Sequence, residues 1–400
     1  MNAAPHPLQV LINAAAARRG GGQTYLRNLL DFLPVRLGLQ VHVVGPDSLE
    51  LPSRPDVHRI PVSWPIENPL VRRVWESVCL PGLLRRLKAD VLFLPSGTSP
   101  GPAGQWKRVS MFRNMLPFAP QQVAKYGWGY MGLRNHLLRR SMAASMSAAD
   151  LVIFVSEYGR EVVTREVAVR QAAVIPHGIS PAFRAAAGER PAWLPREDYI
   201  FYVSTLDVYK AQLAVLRGYA LARNGGVESK LVLVGPEYPP YGKKVRAQMD
   251  ALGLQEHVLP AGSVPYLDLP AAYAHSRLNI FASECENCPN ILLEAMASGR
   301  PLLCSNRAPM PEFAGDAAVY FDPADPAQFA RELVALLSDP ERMREYGERA
   351  RDRSRSYDWQ TAATRTWEAI AALATNPRED PGGHESQEAG RPGAVETSPV

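Results

Sequence analysis

Two apolar runs of strand length, Leu278-Asn279-Ile280-Phe281-Ala282 and Pro301-Leu302-Leu303-Cys304, flank one short helical stretch. Pro289 is suited to a first helical turn, and Gly299 is suited to close the helix before the second run begins. Strand, helix and strand in so few residues read as one unit of a parallel sheet. Neither run alternates polar with apolar residues, which marks strands buried on both faces. The same alternation recurs along most of the chain. The fold class expected is therefore α/β, built from open parallel sheets.

Ligands of such sheets bind beyond the carboxyl ends of the strands. In this unit that position is occupied by Ser283-Glu284-Cys285-Glu286-Asn287-Cys288-Pro289. Glu286 lies in the loop and Glu294 about a turn into the helix, eight positions further on. The backbone N–H groups of Asn290, Ile291 and Leu292 open the helix and favour an anion. Taken alone, the two acids equally fit solvated surface positions, where most Glu residues are found.

A chain of 400 residues suits two domains. In the first, strands are expected at Leu8–Asn13, Gln40–Gly45, Asp90–Leu94, Val109–Phe112, Leu151–Val155 and Ala173–Pro176, with an apolar-basic helix between Asn68 and Lys88. Ser156 is placed to cap the helix after the Leu151–Val155 strand. Arg184–Glu197 reads as a linker. The second set comprises Tyr199–Val203, Leu231–Val234, Val258–Leu259, Leu278–Ala282, Leu302–Ser305 and Val319–Phe321, alternating with helices, and helical residues continue from Pro340 to about Ala374. The boundaries expected are 1–185, 186–357, a helix at 358–375, and a polar tail at 376–400 expected to be disordered.

Four cysteines are too few for a disulfide framework, and Cys285-x-x-Cys288 has no second pair at zinc spacing, so they are expected to be packing residues. With no secretory signal and no apolar run long enough to span a bilayer, a cytoplasmic protein is expected, or one peripheral at the inner face of a membrane. Charge is unevenly spread. From Val91 to Ala149 there is no Asp or Glu, while Lys107, Arg108, Arg113, Lys125, Arg134, Arg139 and Arg140 fall inside. Such a surface suits an anionic partner. No nucleic-acid recognition module accompanies it.

The segment from Ser283 to Gly299 resembles the Glu-x7-Glu motif of retaining glycosyltransferases of the GT-B fold, family 4. The likeness continues through Arg300-Pro301, Ser305-Asn306, Pro311-Glu312 and Gly315-Asp316-Ala317-Ala318 to Tyr320-Phe321-Asp322-Pro323. It covers roughly residues 8–375. The resemblance implies two Rossmann-like domains facing a cleft, with the nucleotide sugar on the second and the last helix returning to the first. It implies that Glu286 meets the donor sugar, that Glu294 binds the ribose, and that Lys210 stabilises the leaving diphosphate. Gly262 and Val264, in Gly262-Ser263-Val264, match the loop that reads the base. Gly21 and Gly22, in Gly20-Gly21-Gly22, match the loop near the donor phosphate. As a dinucleotide fingerprint that loop fails, because the third glycine would fall at Tyr25.

Two positions depart from the family pattern. Thr205 stands where an arginine would accompany Lys210, and Arg113 stands where a histidine would line the acceptor side. Losing one preorganised donor costs on the order of 10²–10³ in rate. The Ser204 and Thr205 hydroxyls or Arg113 from across the cleft are the available substitutes. Arg113 and Asn114 either hold a sugar or anionic acceptor or serve a structural salt bridge. His177 reads as a turn residue rather than a base. Lys125–Arg140, mixing aromatic, Leu and Arg residues, is either a surface for anionic lipid or a lipid-linked acceptor, or a helix with one face in the core. The activity implied is transfer of a hexose from a nucleoside-diphosphate sugar to a glycan or lipid-linked acceptor, in cell-surface polysaccharide synthesis, with no bound metal or other cofactor. The alternative is a catalytically weak relative that binds a nucleotide sugar or glycan as a partner or regulator.

Overall fold

A computed structural model describes residues 6–17, 21–127, 129–185 and 187–375. Gly20 and the 376–400 tail therefore lie outside the described residues, as does Trp128 within the aromatic-basic stretch. Seven strands form the first sheet: β1 (Leu8–Asn13), β2 (Leu39–Val44), β3 (Val57–Arg59), β4 (Val91–Leu94), β5 (Lys107–Phe112), β6 (Leu151–Phe154) and β7 (Ala172–Val174). Six form the second: β8 (Tyr199–Val203), β9 (Lys230–Val234), β10 (Val258–Gly262), β11 (Leu278–Phe281), β12 (Leu302–Ser305) and β13 (Val319–Phe321). The orders are β3-β2-β1-β4-β5-β6-β7 and β10-β9-β8-β11-β12-β13, and every pairing is parallel. All residues of β4, β6, β8, β11 and β12 are buried, as the continuous apolar runs require.

The helices of the first domain are α1 (Gly21–Asp31), α2 (Pro69–Val78), α3 (Leu80–Arg86), α4 (Pro120–Ala124), α5 (Tyr130–Ala148) and α6 (Glu157–Thr164). Those that follow are α7 (Gln212–Asn224), α8 (Pro239–Ala251), α9 (Leu269–His275), α10 (Asn290–Ala297), α11 (Met310–Ala314), α12 (Pro326–Leu337), α13 (Pro340–Ser354) and α14 (Trp359–Thr375). The first domain thus matches the Rossmann-like pattern, and so does the second. The single helix expected between Asn68 and Lys88 is two helices that break at Cys79. Pro81 is the cause, since proline lacks an N–H and collides with the preceding turn. The run from Pro340 is likewise interrupted, at Arg355–Asp358, and α14 then packs against α1 through Trp367, whose Nε1 donates to the Leu29 carbonyl at 2.8 Å. Strand β3 was not foreseen because Val57-His58-Arg59 carries one apolar residue.

In each sheet the strand order reverses once, between β1 and β4 and between β8 and β11. These are the two switch points at which loops diverge and leave a crevice. Asn287, in the loop after β11, donates its amide to the Phe112 carbonyl at the end of β5 at 3.0 Å, so the carboxyl ends of the two sheets face each other.

Candidate functional site

The second-domain half of the site is built from the loops that leave β8 and β11. After β8, the chain makes a tight turn at Val208–Lys210, capped by Asp207, whose Oδ1 accepts from the Val208 N–H at 2.7 Å. Ala211 then takes a left-handed conformation at φ 55°, which costs an L-residue about 1–2 kcal/mol. The turn puts Lys210 below the loop that carries Glu286. The Glu284 N–H donates to the Tyr209 carbonyl at 2.8 Å and stitches the two loops together. Lys210 and Glu286 form an ion pair whose side chains are only 8% and 15% exposed. Burial pushes the ammonium pKa down, but the charge of Glu286, the Tyr209 ring and the bond to Glu286 outweigh it, leaving Lys210 above its ordinary value. Its ammonium also lies 4.9 Å from the centre of the Tyr209 ring. The lysine is therefore charged, desolvated and fixed.

Helix α10 opens at Pro289 and ends before Gly299, whose φ of 69° makes the turn. Leu292, Leu293 and Met296 bury its inner face. Glu294 is half-buried on the side toward Tyr266, which donates its hydroxyl at 3.0 Å. Burial pushes the Glu294 carboxyl up to about 7 against the opposing effect of that bond. Ile291 is half-buried and Leu292 fully so. Contrary to the expectation for its amide, the Asn290 N–H is taken by the Cys288 carbonyl at 3.0 Å, because the chain turns tightly at Pro289, and its side chain turns away to His177, Oδ1 to Nδ1 at 3.0 Å. Gly262, with φ 65°, ends β10 and is exposed beside the half-buried Val264. Thr205 is exposed just beyond β8, and its carbonyl accepts from the Ser204 hydroxyl and the Gln212 side chain, both at 3.0 Å.

The first-domain half lies at its own switch point. A pocket of about 260 Å³ is lined by Ala14, Ala17, Gly22, Pro95, Arg113 and Asn114, among others. Gly21 and Gly22 open α1 there. A Cβ added at either would meet its nearest neighbours at 3.6 Å or more, so nothing among the described residues demands glycine. Arg113 donates to the Gly21 carbonyl at 2.6 Å, and its guanidinium sits 4.9 Å over the Tyr25 ring. It forms no salt bridge among the described residues, so the structural alternative left open for it is not realised. Asn114 is exposed and caps a local turn, accepting from the Leu116 N–H at 3.3 Å.

His177 is a buried packing residue rather than an open turn residue. Its ring stacks on Trp359 at 5.5 Å and tilts against Tyr25 at 5.2 Å. Burial, reinforced by the charge of Arg113, pushes its pKa down to about 3 despite the Asn290 bond, so it is neutral. The thiols of Cys285 and Cys288 are both pushed up to about 12, first by burial, which suits packing and not thiolate chemistry.

The sequence carries no sign that the following residues bridge the cleft. Asn287 takes a hydrogen bond from the Ser156 hydroxyl at 2.7 Å while donating to the Phe112 carbonyl. The carboxylate of Glu312 accepts the Glu157 and Tyr158 N–H groups at 2.8 and 3.0 Å, at the positive end of α6. Tyr126 donates to Asp207 at 2.8 Å, and Lys125 pairs with Glu284. In the sequence Ser156 reads only as a cap, a role it also fills by accepting from the Gly159 N–H at 2.9 Å, while Lys125 reads as part of the aromatic-basic stretch and Asn287 and Glu312 as parts of the family motif.

With this geometry in hand, the chain compares with known proteins as follows. The family model "Glycosyltransferase Family 4" matches residues 19–183, and "Glycosyl transferases group 1" matches residues 188–353. O-antigen chain mannosyltransferase B of Escherichia coli is 26% identical over 254 residues, 60% of this chain and 65% of that protein. The GDP-mannose-dependent alpha-(1-6)-phosphatidylinositol monomannoside mannosyltransferase of Mycolicibacterium smegmatis is 26% identical over 265 residues, 61% of this chain and 67% of that protein. The match thus spans less than two thirds of the first relative's length. Among solved structures, sucrose-phosphate synthase from Thermosynechococcus elongatus superposes with a TM-score of 0.75 at 17% identity, covering 92% of this chain and 99% of that one. Two facing parallel sheets, a site at their switch points and two adjoining family matches agree, and the chain belongs to the group 1, family 4 glycosyltransferases of the GT-B fold.

Proposed function

We propose that the chain transfers a hexose, with retention of configuration, from a nucleoside-diphosphate sugar to a glycan or lipid-linked acceptor of the cell surface. The single observation that carries this reading is the desolvated Lys210–Glu286 ion pair, held at the carboxyl ends of β8 and β11 where the strand order of the second sheet reverses. A fixed ammonium and helix amides preorganise charge for a leaving diphosphate. They supply it without a metal ion. Glu294 accepts hydrogen bonds from ribose hydroxyls, and the Gly262–Val264 loop meets the base. The diphosphate draws Lys210 from Glu286 and leaves with the electron pair of the broken anomeric C–O bond. The acceptor oxygen bonds to that carbon from the same face, and its proton passes to a departing phosphate oxygen. Glu286 orients the sugar and forms no bond to it. Both named relatives are mannosyltransferases, and the name of one specifies GDP-mannose and a phosphatidylinositol acceptor, which supports a hexose donor and a lipid-linked acceptor.

An acceptor of that kind also accounts for the first-domain surface. Leu70, Val74 and Val78 line one exposed side of α2, and Tyr130, Leu133 and Leu137 one exposed side of α5. Arg73, Arg134 and Arg140 are exposed on the same helices. The other end of α5 is buried through Met142 and Met146, so the helix combines core packing with an apolar-basic surface suited to the face of an anionic membrane. Among the described residues no helix is long and apolar enough to cross one.

A thermal-shift screen against UDP-, GDP- and ADP-sugars, followed by assay of nucleoside diphosphate release, tests the donor. Thr205 and Arg113, in place of the family arginine and histidine, favour one competing reading, a catalytically weak binding relative. Ligand-induced stabilisation without diphosphate release on any acceptor supports that reading against ours.

A further inference from the structure

Among the described residues Arg113 is a cation without a counter-ion: its guanidinium bonds to one carbonyl there, that of Gly21, and its buried Nε has no hydrogen-bond partner among them. The acidic groups that feel its charge are Tyr25 and Cys288, both of which burial keeps protonated. The neighbouring His177 is neutral. A half-buried guanidinium with an unpaired Nε and no anion beside it is costly. Such a cost persists where a ligand supplies the missing charge. Arg113 lines the 260 Å³ pocket at the β1–β4 switch point, beside the glycine turn, where ligands of parallel sheets collect. Across the cleft, Thr205 leaves Lys210 as the cation of its loop, and Glu286 already neutralises that lysine.

We propose that Arg113 binds an anionic group of the donor, so that the donor's negative charge lies between Arg113 on one domain and Lys210 on the other. The proposal rests on the nucleotide-sugar reading above. Two sources present the same oxygens to a guanidinium fork, the diphosphate itself or an acid group on the transferred sugar. Arginine on the first domain then takes over the charge that Thr205 does not provide on the second, and the donor is fully neutralised only when both domains contact it.

The test measures dissociation constants by calorimetry for UDP, GDP, UDP-glucose, GDP-mannose and UDP-glucuronate. The proteins are the parent, Arg113→Gln, Arg113→Lys, and Arg113→Gln combined with Thr205→Arg, with melting curves to establish that each is folded. Arg113→Gln is expected to bind about tenfold to a hundredfold more weakly, and Arg113→Lys to lose less. If the diphosphate is the anion, the loss extends to UDP or GDP alone and Thr205→Arg restores binding. If the sugar carries it, the loss is confined to UDP-glucuronate. A folded Arg113→Gln that binds every nucleotide as the parent does overturns the proposal and leaves the donor reading intact. A parent that binds none of the five overturns both.

Discussion

Glu294 illustrates how one side chain's surroundings become a measurable property. Its carboxyl is raised to about 7 because burial withdraws water, and the single donor, Tyr266, only partly offsets that effect. Ribose hydroxyls would add donors to the ionised form and lower the pKa on binding. Donor affinity is therefore expected to weaken as pH falls through 7, with proton release near neutrality. Calorimetry in buffers of different ionisation enthalpy measures that release, and Glu294→Gln should abolish it. The same shift affects stability with a definite sign. The folded state holds this proton more tightly than the unfolded chain, so the contribution of Glu294 declines as pH rises from about 4.3 to 7. Glu294→Gln should accordingly stabilise the free protein at pH 8, by an amount on the order of 1 kcal/mol, read from denaturant unfolding. Lys210 and Glu286 behave as a unit. Removing one partner strands a buried charge and is expected to cost about 3–5 kcal/mol, whereas Lys210→Met with Glu286→Gln should cost less than the sum of the single changes. Glu286→Ala should mainly lower turnover, and Glu294→Ala mainly donor affinity.

At the scale of elements, the site depends on how loops are held by the ends of neighbouring strands and helices. The loop after β11 is tied to α6 and β5 by one side chain, Asn287, between Ser156 and the Phe112 carbonyl. Helix α6 comes close enough for this because Gly159 has no side chain. A Cβ there would lie 2.4 Å from the Asn287 Oδ1 and 2.9 Å from the Ser156 hydroxyl. Gly159→Ala is expected to push the loop off α6, and Asn287→Ala to leave buried groups unpaired at a cost of about 1–3 kcal/mol. Both should reduce turnover through misplacement of Glu286. Asn287→Ala should do so without displacing α6, which crystallography of the two variants would distinguish. The broken helix at Cys79 and the interrupted run before α14 follow the same logic. Apolar periodicity identified the helical stretches, and the breaks follow from Pro81 and from the return of the chain to α1.

For the whole molecule, the consequential feature is that the two domains meet beside the chemistry through polar clasps, alongside apolar contacts such as Cys285, which packs with Phe112 and Met115 of the first domain. Glu312 places a carboxylate on the N-terminal amides of α6. Lys125 with Glu284 and Tyr126 with Asp207 add a second crossing near the turn that carries Lys210. Polar, partly exposed clasps are individually weak, which suits a cleft that must open for substrate and close around it. Glu312→Ala removes a stabilised anion from a helix N-terminus, worth about 1 kcal/mol. It is expected to raise the radius of gyration in small-angle scattering and to raise KM for the donor, with little change in the unfolding of either domain.

The order of strands and helices was legible in the chain, because apolar runs, prolines and closing glycines act over a few residues. Glu286 and Glu294 were placed by their offset from a strand end and a helix start, and Lys210 through the family motif it resembles. Their pairing was not legible. Lys210 and Glu286 are 76 residues apart, and they meet because β8 and β11 are neighbours in the sheet. Nor did any local pattern reveal that Arg113 would lack a counter-ion among the described residues, that His177 would be buried between Tyr25 and Trp359, or that Asn287 would join the domains. Propensity is a property of neighbours along the backbone, whereas solvation and ion pairing depend on which distant segments the strand order brings together, and those the tertiary structure alone decided.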